Sequence, residues 1–216
     1  MPIKNARVRE YFPFGVIVMS SRHDVGWDRI YHQYGVEDLP WELGKPRKGL
    51  VELVDSGQIA PCETLDVCCG TGTNTVYLAK KGFDITTLDI SDKAVKYAKE
   101  KAREAEVDIK LLVGNFLNLP FMSEKFEFAF DFGCFHHVEV ENRTTFIRGI
   151  RRVLKPKGTY FMVCFSHKNG PAWNHFKKEQ IIELFGDYFR IKWIRHISSV
   201  EADNVTRYFY EALMEN

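Results

Sequence analysis

The chain has 216 residues, of which 45% are hydrophobic and 27% charged, and its formal net charge is +1. A chain of this length is most simply a single domain with a sizeable core. Because positive and negative charges nearly balance, there is no strong field to attract nucleic acid or an anionic membrane. We therefore predict neither as a partner.

The five cysteines show neither the spacing of a disulfide scaffold nor that of a zinc site. Cys68 and Cys69 are adjacent and fall in a predicted buried strand. Unpaired cysteines of this kind are typical of a reducing compartment, so we predict a cytoplasmic location. The apolar stretch over 12–19 is too short to span a bilayer and is followed by no cleavage site of small residues. Met19 is an alternative start of translation.

Residues 1–48 precede the first predicted strand, and we interpret them as an N-terminal extension and helical lid on a domain that spans residues 49–216. Residues 1–24 have no clear hydrophobic period. The elements predicted after them are a short helix over 27–34, a turn-rich loop over 40–46 and a helix over 49–54. The aromatic residues of this part are too many for an exposed tail, so we expect it to pack over the domain.

The most informative stretch begins with an apolar run over 65–69, which has the length of a buried strand. Gly70 and Gly72 then break the run. Without a Cβ atom, a glycine lets the backbone approach a ligand and adopt dihedral angles closed to other residues. This pattern favours a ligand-binding turn, although an isolated Gly-x-Gly also occurs in ordinary tight turns.

A helix and a second strand follow the glycine turn. We expect Thr73 or Asn74 to cap the helix, and the strand over 84–88 leads into Asp89. A carboxylate at that place accepts hydrogen bonds from both hydroxyls of a ribose. Strand, glycine turn, helix, strand and acid together form half of a nucleotide-binding unit.

Two departures from known phosphate-binding patterns limit which nucleotide the unit can bind. A dinucleotide fingerprint has a third glycine where Thr75 stands, and the lysine of a P-loop is absent. Asp66, just before the turn, would repel a phosphate and suits a ligand with an ammonium group. A cationic adenosine derivative meets both conditions, which points to S-adenosylmethionine.

The run LDVCCGTG over 65–72 resembles motif I of the class I S-adenosylmethionine-dependent methyltransferases, with Cys68 where that family usually has its first glycine. The resemblance implies a doubly wound, Rossmann-like α/β fold. Its seven-stranded, mostly parallel sheet would end in a C-terminal antiparallel strand pair and carry the N-terminal helical lid. The implied cofactor is S-adenosylmethionine, and its product is S-adenosylhomocysteine.

Two N-terminal patterns, WDRIY over 27–31 and PWELGKP over 40–46, resemble the start of a small-molecule subgroup of that family. The subgroup includes the thiopurine, thiol/halide and tellurite-resistance types. There the segment lies over the cofactor, and the tryptophan that matches Trp41 contacts it. The alternative is that these aromatic residues only pack a helical lid.

After Asp89, Ser91 is predicted to cap a helix that runs to about residue 103, and a third strand follows over 109–113. The next residues resemble the family's second adenine motif. Asn115 stands where an aspartate usually accepts from the adenine amino group, and its side-chain oxygen can do the same. Phe116 would lie beside the ring. The alternative role of Asn115 is to cap the turn.

A fourth strand over 126–132 leads into GCFHHV over 133–138, which again resembles the small-molecule subgroup. This turn should border the reacting methyl group, because open α/β sheets bind ligands beyond the carboxyl ends of their strands. His136 or His137 would accept a proton from a phenol or an amine, whereas a thiolate acceptor needs no base. In the alternative, the imidazoles only pack or bond to the backbone.

The remaining chain alternates helices and strands in the expected way. The predicted elements are a helix over 142–154 ended by 156–158, a strand over 159–165, a polar loop over 167–173, a helix over 178–185 and an antiparallel pair over 189–197 and 205–213. Phe135, Trp41 and Phe165 are the aromatic candidates for excluding water and attracting a sulfonium.

The sequence therefore predicts an S-adenosylmethionine-dependent methyltransferase that acts on a small-molecule acceptor by in-line transfer, as a monomer or homodimer. The alternatives are a cofactor-binding regulatory or scaffold module, or a methyltransferase for a protein or RNA acceptor. The residues that the resemblance assigns to the cofactor are Trp41, Asp66, Gly70, Gly72, Asn74, Asp89, Ile90, Asn115, Phe116 and Asp131. No metal ligand is predicted.

Overall fold

The computed structural model describes residues 23–170 and 174–216. The alternative start at Met19 lies outside these ranges, and so does part of the loop expected over 167–173. The helices are α1 (His23–Gln33), α2 (Lys48–Asp55), α3 (Thr73–Lys80), α4 (Asp92–Glu104), α5 (Arg143–Val153) and α6 (Lys178–Phe185). The strands are β1 (Glu63–Val67), β2 (Asp84–Asp89), β3 (Lys110–Val113), β4 (Phe126–Phe132), β5 (Leu154–Phe165), β6 (Arg190–Val200) and β7 (Thr206–Glu215).

In the described part of the chain, all seven strands belong to one sheet, in the order β3-β2-β1-β4-β5-β7-β6. Neighbouring strands are parallel from β3 to β5, whereas β7 runs antiparallel to both β5 and β6. The predicted fold class is confirmed. The strand order reverses between β1 and β4, which is where open sheets of this kind bind ligands.

Helix α4 follows the predicted pattern closely. The Ser91 hydroxyl accepts a hydrogen bond of 3.2 Å from the Ala94 amide and so caps the helix. Ala94, Ala98 and Ala102 are buried on one face. Because these side chains are small, the helix can lie close to the glycine turn that follows β1.

The boundary between α5 and β5 differs from the prediction over 142–159. The helix ends at Val153, and Leu154 already belongs to β5, so that 156–158 lie within the strand instead of separating the two elements. The reason is tertiary packing, since Leu154 is fully buried and pairs with Phe126 on β4. Pro156 and Gly158 therefore mark an irregularity in the pairing of β5 with β4 and not the end of the helix.

The N-terminal helix packs beside the carboxyl ends of β1 and β2. Ile30 and Tyr31 of α1 form a buried cluster with Leu39 and with Ala94 of α4. Residues 27–47 thus cover the ligand-binding edge of the sheet, and their action as a lid stays a prediction. Within the described residues, no helix has the length and apolar character needed to cross a membrane.

Candidate functional site

A cleft opens at the carboxyl ends of β1, β2 and β4, and residues 40–47, here called the covering segment, form part of its wall. The predicted site residues that line the cleft are Trp41, Asp66, Gly70, Asn74, Asp89, Ile90, Phe116, His136 and His137. Gly72, Asn115 and Asp131 lie outside its lining. Nine of the twelve predicted site residues thus lie together in one cleft, and their roles there stay predictions.

Asp89 ties the glycine turn to the end of β2. One of its carboxylate oxygens accepts from the Gly70 amide at 2.9 Å, and the other accepts from the Ser91 amide at 3.0 Å. Burial raises the pKa of Asp89, although the hydrogen bonds from these amides oppose the shift. A carboxylate has about four acceptor positions, so Asp89 keeps capacity for ligand hydroxyls in the cleft.

Asp66 is almost completely buried at the end of β1, and its carboxylate accepts a hydrogen bond from the Thr75 hydroxyl. Burial raises its pKa to about 7. The Thr75 hydroxyl opposes this shift, and the charges of Asp89 and Asp131 add to it. A buried carboxylate with this pKa favours a cation beside it, because a positive charge stabilises its ionised form.

Gly72 has a packing role, and its contact with the cofactor stays a prediction. It is the N-cap of α3 with φ +84°, and a Cβ atom there would lie 2.7 Å from the Cβ of Ala98 on α4. The predicted caps have other partners, because Thr73 donates to Glu42 and Asn74 accepts from the Arg47 amide at 3.0 Å. The prediction that Thr73 or Asn74 caps α3 is wrong.

The side chains of Asn115 and Asp131 stabilise loops by accepting hydrogen bonds from backbone amides. The Asn115 side-chain oxygen accepts from the Leu117 amide at 2.8 Å, which is the turn-capping alternative. Asp131 is fully buried and accepts from the Cys134 amide at 2.9 Å and from the Tyr160 hydroxyl. Burial raises its pKa to about 6. These contacts support a structural role, and cofactor contact stays a prediction for both residues.

Glu42 of the covering segment is a site residue that sequence reasoning missed, although it lies in the quoted Pro-Trp-Glu pattern. Its carboxylate accepts from the hydroxyls of Thr71 and Thr73 and from the Lys101 ammonium, which is 3.1 Å away. Burial opposes its ionisation, but the Thr71 hydroxyl and the Lys101 charge outweigh burial and lower its pKa. Glu42 thus fastens the covering segment to the glycine turn and to α4.

Arg47 fastens the other end of the covering segment to the turn between β6 and β7. Its guanidinium donates two hydrogen bonds, of 2.7 and 2.8 Å, to the buried Glu201 carboxylate. It also donates to the Trp41 carbonyl at 2.8 Å, and the Ala202 amide donates to the Pro40 carbonyl at 2.9 Å. No local pattern predicts the ion pair, since Arg47 and Glu201 lie 154 residues apart in the sequence.

Aromatic rings make up much of the remaining wall. Trp41 packs edge to face against Trp27, with ring centroids 5.6 Å apart, and Phe165 stacks on Phe209 at 5.2 Å. All four line the cleft. Phe135, which the sequence suggested for this wall, is instead fully buried in the core, where it stacks with Phe176.

His136 is 2% exposed, and its ring lies against Phe165 with centroids 4.0 Å apart. Burial, reinforced by the neighbouring His137, holds the pKa of His136 well below its usual range. Its Nδ1 accepts from the Phe165 amide at 3.3 Å, so the neutral ring carries its proton on Nε2. This arrangement suits a hydrogen-bond donor and does not favour His136 as a base. His137 packs edge to face against Trp27 at 4.8 Å.

Two of the cysteines are joined. Cys68, which follows β1, forms a disulfide with Cys134, which follows β4, and both residues line the cleft. The expectation that the cysteines stay unpaired is wrong for this pair. Sequence spacing gave no signal because parallel pairing of β1 with β4 brings the two loops together.

Residues 64–158 match a family that is described as a methyltransferase domain. The match includes the glycine turn, both acidic strand ends and the loop after β4. Residues 64–158 therefore resemble a methyltransferase domain. The chain is 32% identical over 131 residues to the demethylmenaquinone methyltransferase of Listeria welshimeri, a match that covers 58% of this chain and 51% of that protein. It thus spans about half the length of this curated relative.

Solved structures share the fold of this chain. A protein from a study of the conversion of a disulfide bond into a thioacetal group during echinomycin biosynthesis has a TM-score of 0.80 and 19% identity, covering 90% of this chain and 92% of that chain. The Burkholderia thailandensis 1,6-didemethyltoxoflavin-N1-methyltransferase, solved with 1,6-didemethyltoxoflavin and S-adenosylhomocysteine, has a TM-score of 0.67 and 19% identity, with coverages of 100% and 92%. At these identities the likeness establishes the fold.

Proposed function

We propose that this protein is an S-adenosylmethionine-dependent methyltransferase that methylates a small, planar acceptor. The observation that carries the proposal is the cleft of the methyltransferase domain, where Asp66 and Asp89 flank a glycine turn and the covering segment fastens over it through Glu42. The first acidic group suits a cationic ligand, and the second suits ribose hydroxyls.

The chemistry of the cleft agrees with S-adenosylmethionine as cofactor. When bound, this cofactor supplies an electrophilic methyl group on a sulfonium. Asp66 would offset its positive charge, and the rings of Trp41 and Phe165 would exclude water and attract the sulfonium by cation–π contact. The protein's main task is to align the acceptor with the methyl group, which a rigid and closed wall favours.

The small, planar acceptor is supported by the aromatic wall and by the relatives. The Listeria relative acts on demethylmenaquinone and the Burkholderia structure holds 1,6-didemethyltoxoflavin, both named in those proteins' descriptions. His136 would hold an acceptor oxygen through its Nε2 proton, and an acceptor that already carries a negative charge needs no base. A monomeric or homodimeric state and a cytoplasmic location stay predictions.

Calorimetric titration and a methyl-transfer screen test the proposal. The protein should bind S-adenosylhomocysteine in the low micromolar range, which corresponds to about −7 to −8 kcal/mol. Labelled methyl groups should pass to at least one compound in a panel of hydroxyquinones, phenols, nitrogen heterocycles, thiols, selenols and halides. Binding of NAD without binding of S-adenosylhomocysteine would overturn the assignment. Binding with no turnover on small molecules, protein or RNA would instead support the regulatory or scaffold alternative.

A further inference from the structure

The disulfide between Cys68 and Cys134 bridges the place where the strand order reverses. Cys68 lies in the loop after β1, and Cys134 lies in the loop after the adjacent, parallel β4. Their Cα atoms are 6.2 Å apart, which lies within the usual range for a disulfide. Because both residues line the cleft, the bond forms part of the surface that a ligand would touch.

We propose that Cys68 and Cys134 form a reversible thiol–disulfide site inside the cleft and that formation of the bond strengthens cofactor binding. The site would take small thiols and disulfides as its reaction partners. The coupling to the cofactor rests on the proposed function, whereas the formation of the disulfide does not.

The two cysteines differ in their surroundings, and this difference sets the direction of the effect. Cys134 is 6% exposed and belongs to a buried core cluster, whereas Cys68 is only partly buried against that cluster. Bonded sulfurs lie about 2.05 Å apart, but sulfurs that are not bonded need a van der Waals separation of about 3.5–4 Å. After reduction one sulfur must therefore move. Cys134 is held by packing, so the Cys68 sulfur moves into the cleft and takes space from a ligand.

Reduction proceeds by thiol–disulfide exchange with a low-molecular-weight dithiol. A thiolate of the reagent attacks the Cys68 sulfur, and the Cys134 sulfur leaves and takes up a proton. The second thiol of the reagent then displaces Cys68 as a thiol and closes a cyclic disulfide. Two electrons and two protons pass from the reagent to the protein. Cys68 is the more accessible sulfur, because Cys68 is only partly buried whereas Cys134 is buried.

Cofactor binding and disulfide formation are thermodynamically linked, so each must affect the other. If the oxidised form binds the cofactor more tightly, a bound cofactor must shift the exchange equilibrium toward the disulfide by the same factor. A ligand that fills the cleft also covers Cys68 and so slows attack by the reagent. A bound cofactor therefore favours the disulfide at equilibrium and also slows its reduction.

The first experiment equilibrates the full chain in mixtures of reduced and oxidised dithiothreitol, blocks free thiols by alkylation and maps the linked peptides. The expected result is a Cys68–Cys134 link that forms as the mixture becomes more oxidising. Saturating S-adenosylhomocysteine should lower the oxidised-to-reduced ratio at the midpoint at least tenfold. A chain with no such link in any mixture would overturn the disulfide itself.

The second experiment measures S-adenosylhomocysteine affinity by calorimetry. The oxidised protein should bind at least tenfold more tightly than the reduced protein. Cys68→Gly removes the thiol and suits the left-handed φ of +67° at that position, so its affinity should not respond to the redox mixture. Cys134→Ser should also lose the response. Cys62→Ser changes a partly buried, unpaired cysteine outside the cleft lining and should keep it.

Equal affinities of the oxidised and reduced forms would overturn the coupling. If neither form binds S-adenosylhomocysteine, the proposed function fails together with the coupling, while peptide mapping still decides whether the disulfide forms.

Discussion

Burial controls the chemistry of the acidic residues around the cleft. Asp66 has a pKa raised to about 7, chiefly by burial. An aspartate in the unfolded chain ionises near a pH of about 3.9, so between about pH 4 and pH 7 the folded chain binds more protons than the unfolded chain. The contribution of Asp66 to the free energy of unfolding therefore falls as pH rises through this window.

Asp66→Asn should flatten that fall, because the amide does not titrate. The same change should weaken S-adenosylmethionine binding near pH 8 by about 1–3 kcal/mol, since a charged partner is lost. Near pH 5, where Asp66 is mostly protonated, the variant and the unchanged protein should bind more nearly alike. Urea unfolding and calorimetry at each pH measure the two effects, with the exposed Asp108→Asn as control. Equal affinities near pH 8 would rule out a charge role for Asp66.

Gly72 offers a second test at this scale, since its role is steric. Gly72→Ala places a Cβ atom 2.7 Å from Ala98 at a φ of +84° and should lower the free energy of unfolding by about 2–4 kcal/mol. Gly44 is a matched control, because its φ is +63° but its added Cβ would meet nothing within 4 Å. Gly44→Ala should cost only about 1–2 kcal/mol, the conformational part alone. Equal losses in urea unfolding would show that the contact with Ala98 relaxes freely.

The elements around the site were predictable where local pattern decides them. The predicted bounds of β4 and α6 match those observed, because alternation and helical period are local properties. Contacts between distant segments were not predictable. Arg207 and Phe209 reach the cleft from β7, and the Cys68–Cys134 bond needs the register of β1 with β4. The glycine turn could be read from the chain, whereas its partners depend on the assembled sheet.

Glu42 joins the covering segment to the glycine turn and to α4. Its charge should therefore contribute more to stability than the charge of an exposed residue. Its pKa is lowered in the folded chain, which means that its stabilising effect is present above the unfolded pKa and is lost as pH falls. Glu42→Gln should lower the free energy of unfolding by about 1–2 kcal/mol at neutral pH and less in acid. It should also raise the KM for S-adenosylmethionine. Glu100→Gln, which changes an exposed residue of α4, should alter neither quantity. An unchanged KM would limit Glu42 to a structural role.

At the scale of the whole molecule, α1 and the covering segment are held against the sheet domain in two different ways. The covering segment is fastened to α3 through Asn74, to α4 through Lys101 and to the turn between β6 and β7 through Glu201. Helix α1 reaches the body through its apolar cluster and a hydrogen bond of 2.6 Å from the Ser91 hydroxyl to Asp28. The covering segment is thus the more firmly anchored part.

Hydrogen exchange on the full chain should reveal this difference. Amides of residues 40–47 should be protected before any ligand is added, because buried ion pairs must open to expose them. Amides of α1 should gain protection when S-adenosylmethionine binds, since a filled cleft gives Trp27 and Tyr31 a further surface to pack on. Deleting residues 1–44 removes α1 and the first five residues of the covering segment, Glu42 among them, but leaves Arg47 in place. The shortened chain should retain its sheet by circular dichroism, bind S-adenosylhomocysteine at least tenfold more weakly and transfer little methyl. Two results together would contradict this prediction: equal exchange of the α1 amides with and without ligand, and normal turnover by the shortened chain. In that case α1 and residues 40–44 only stabilise the fold, and the alternative of a protein or RNA acceptor is favoured.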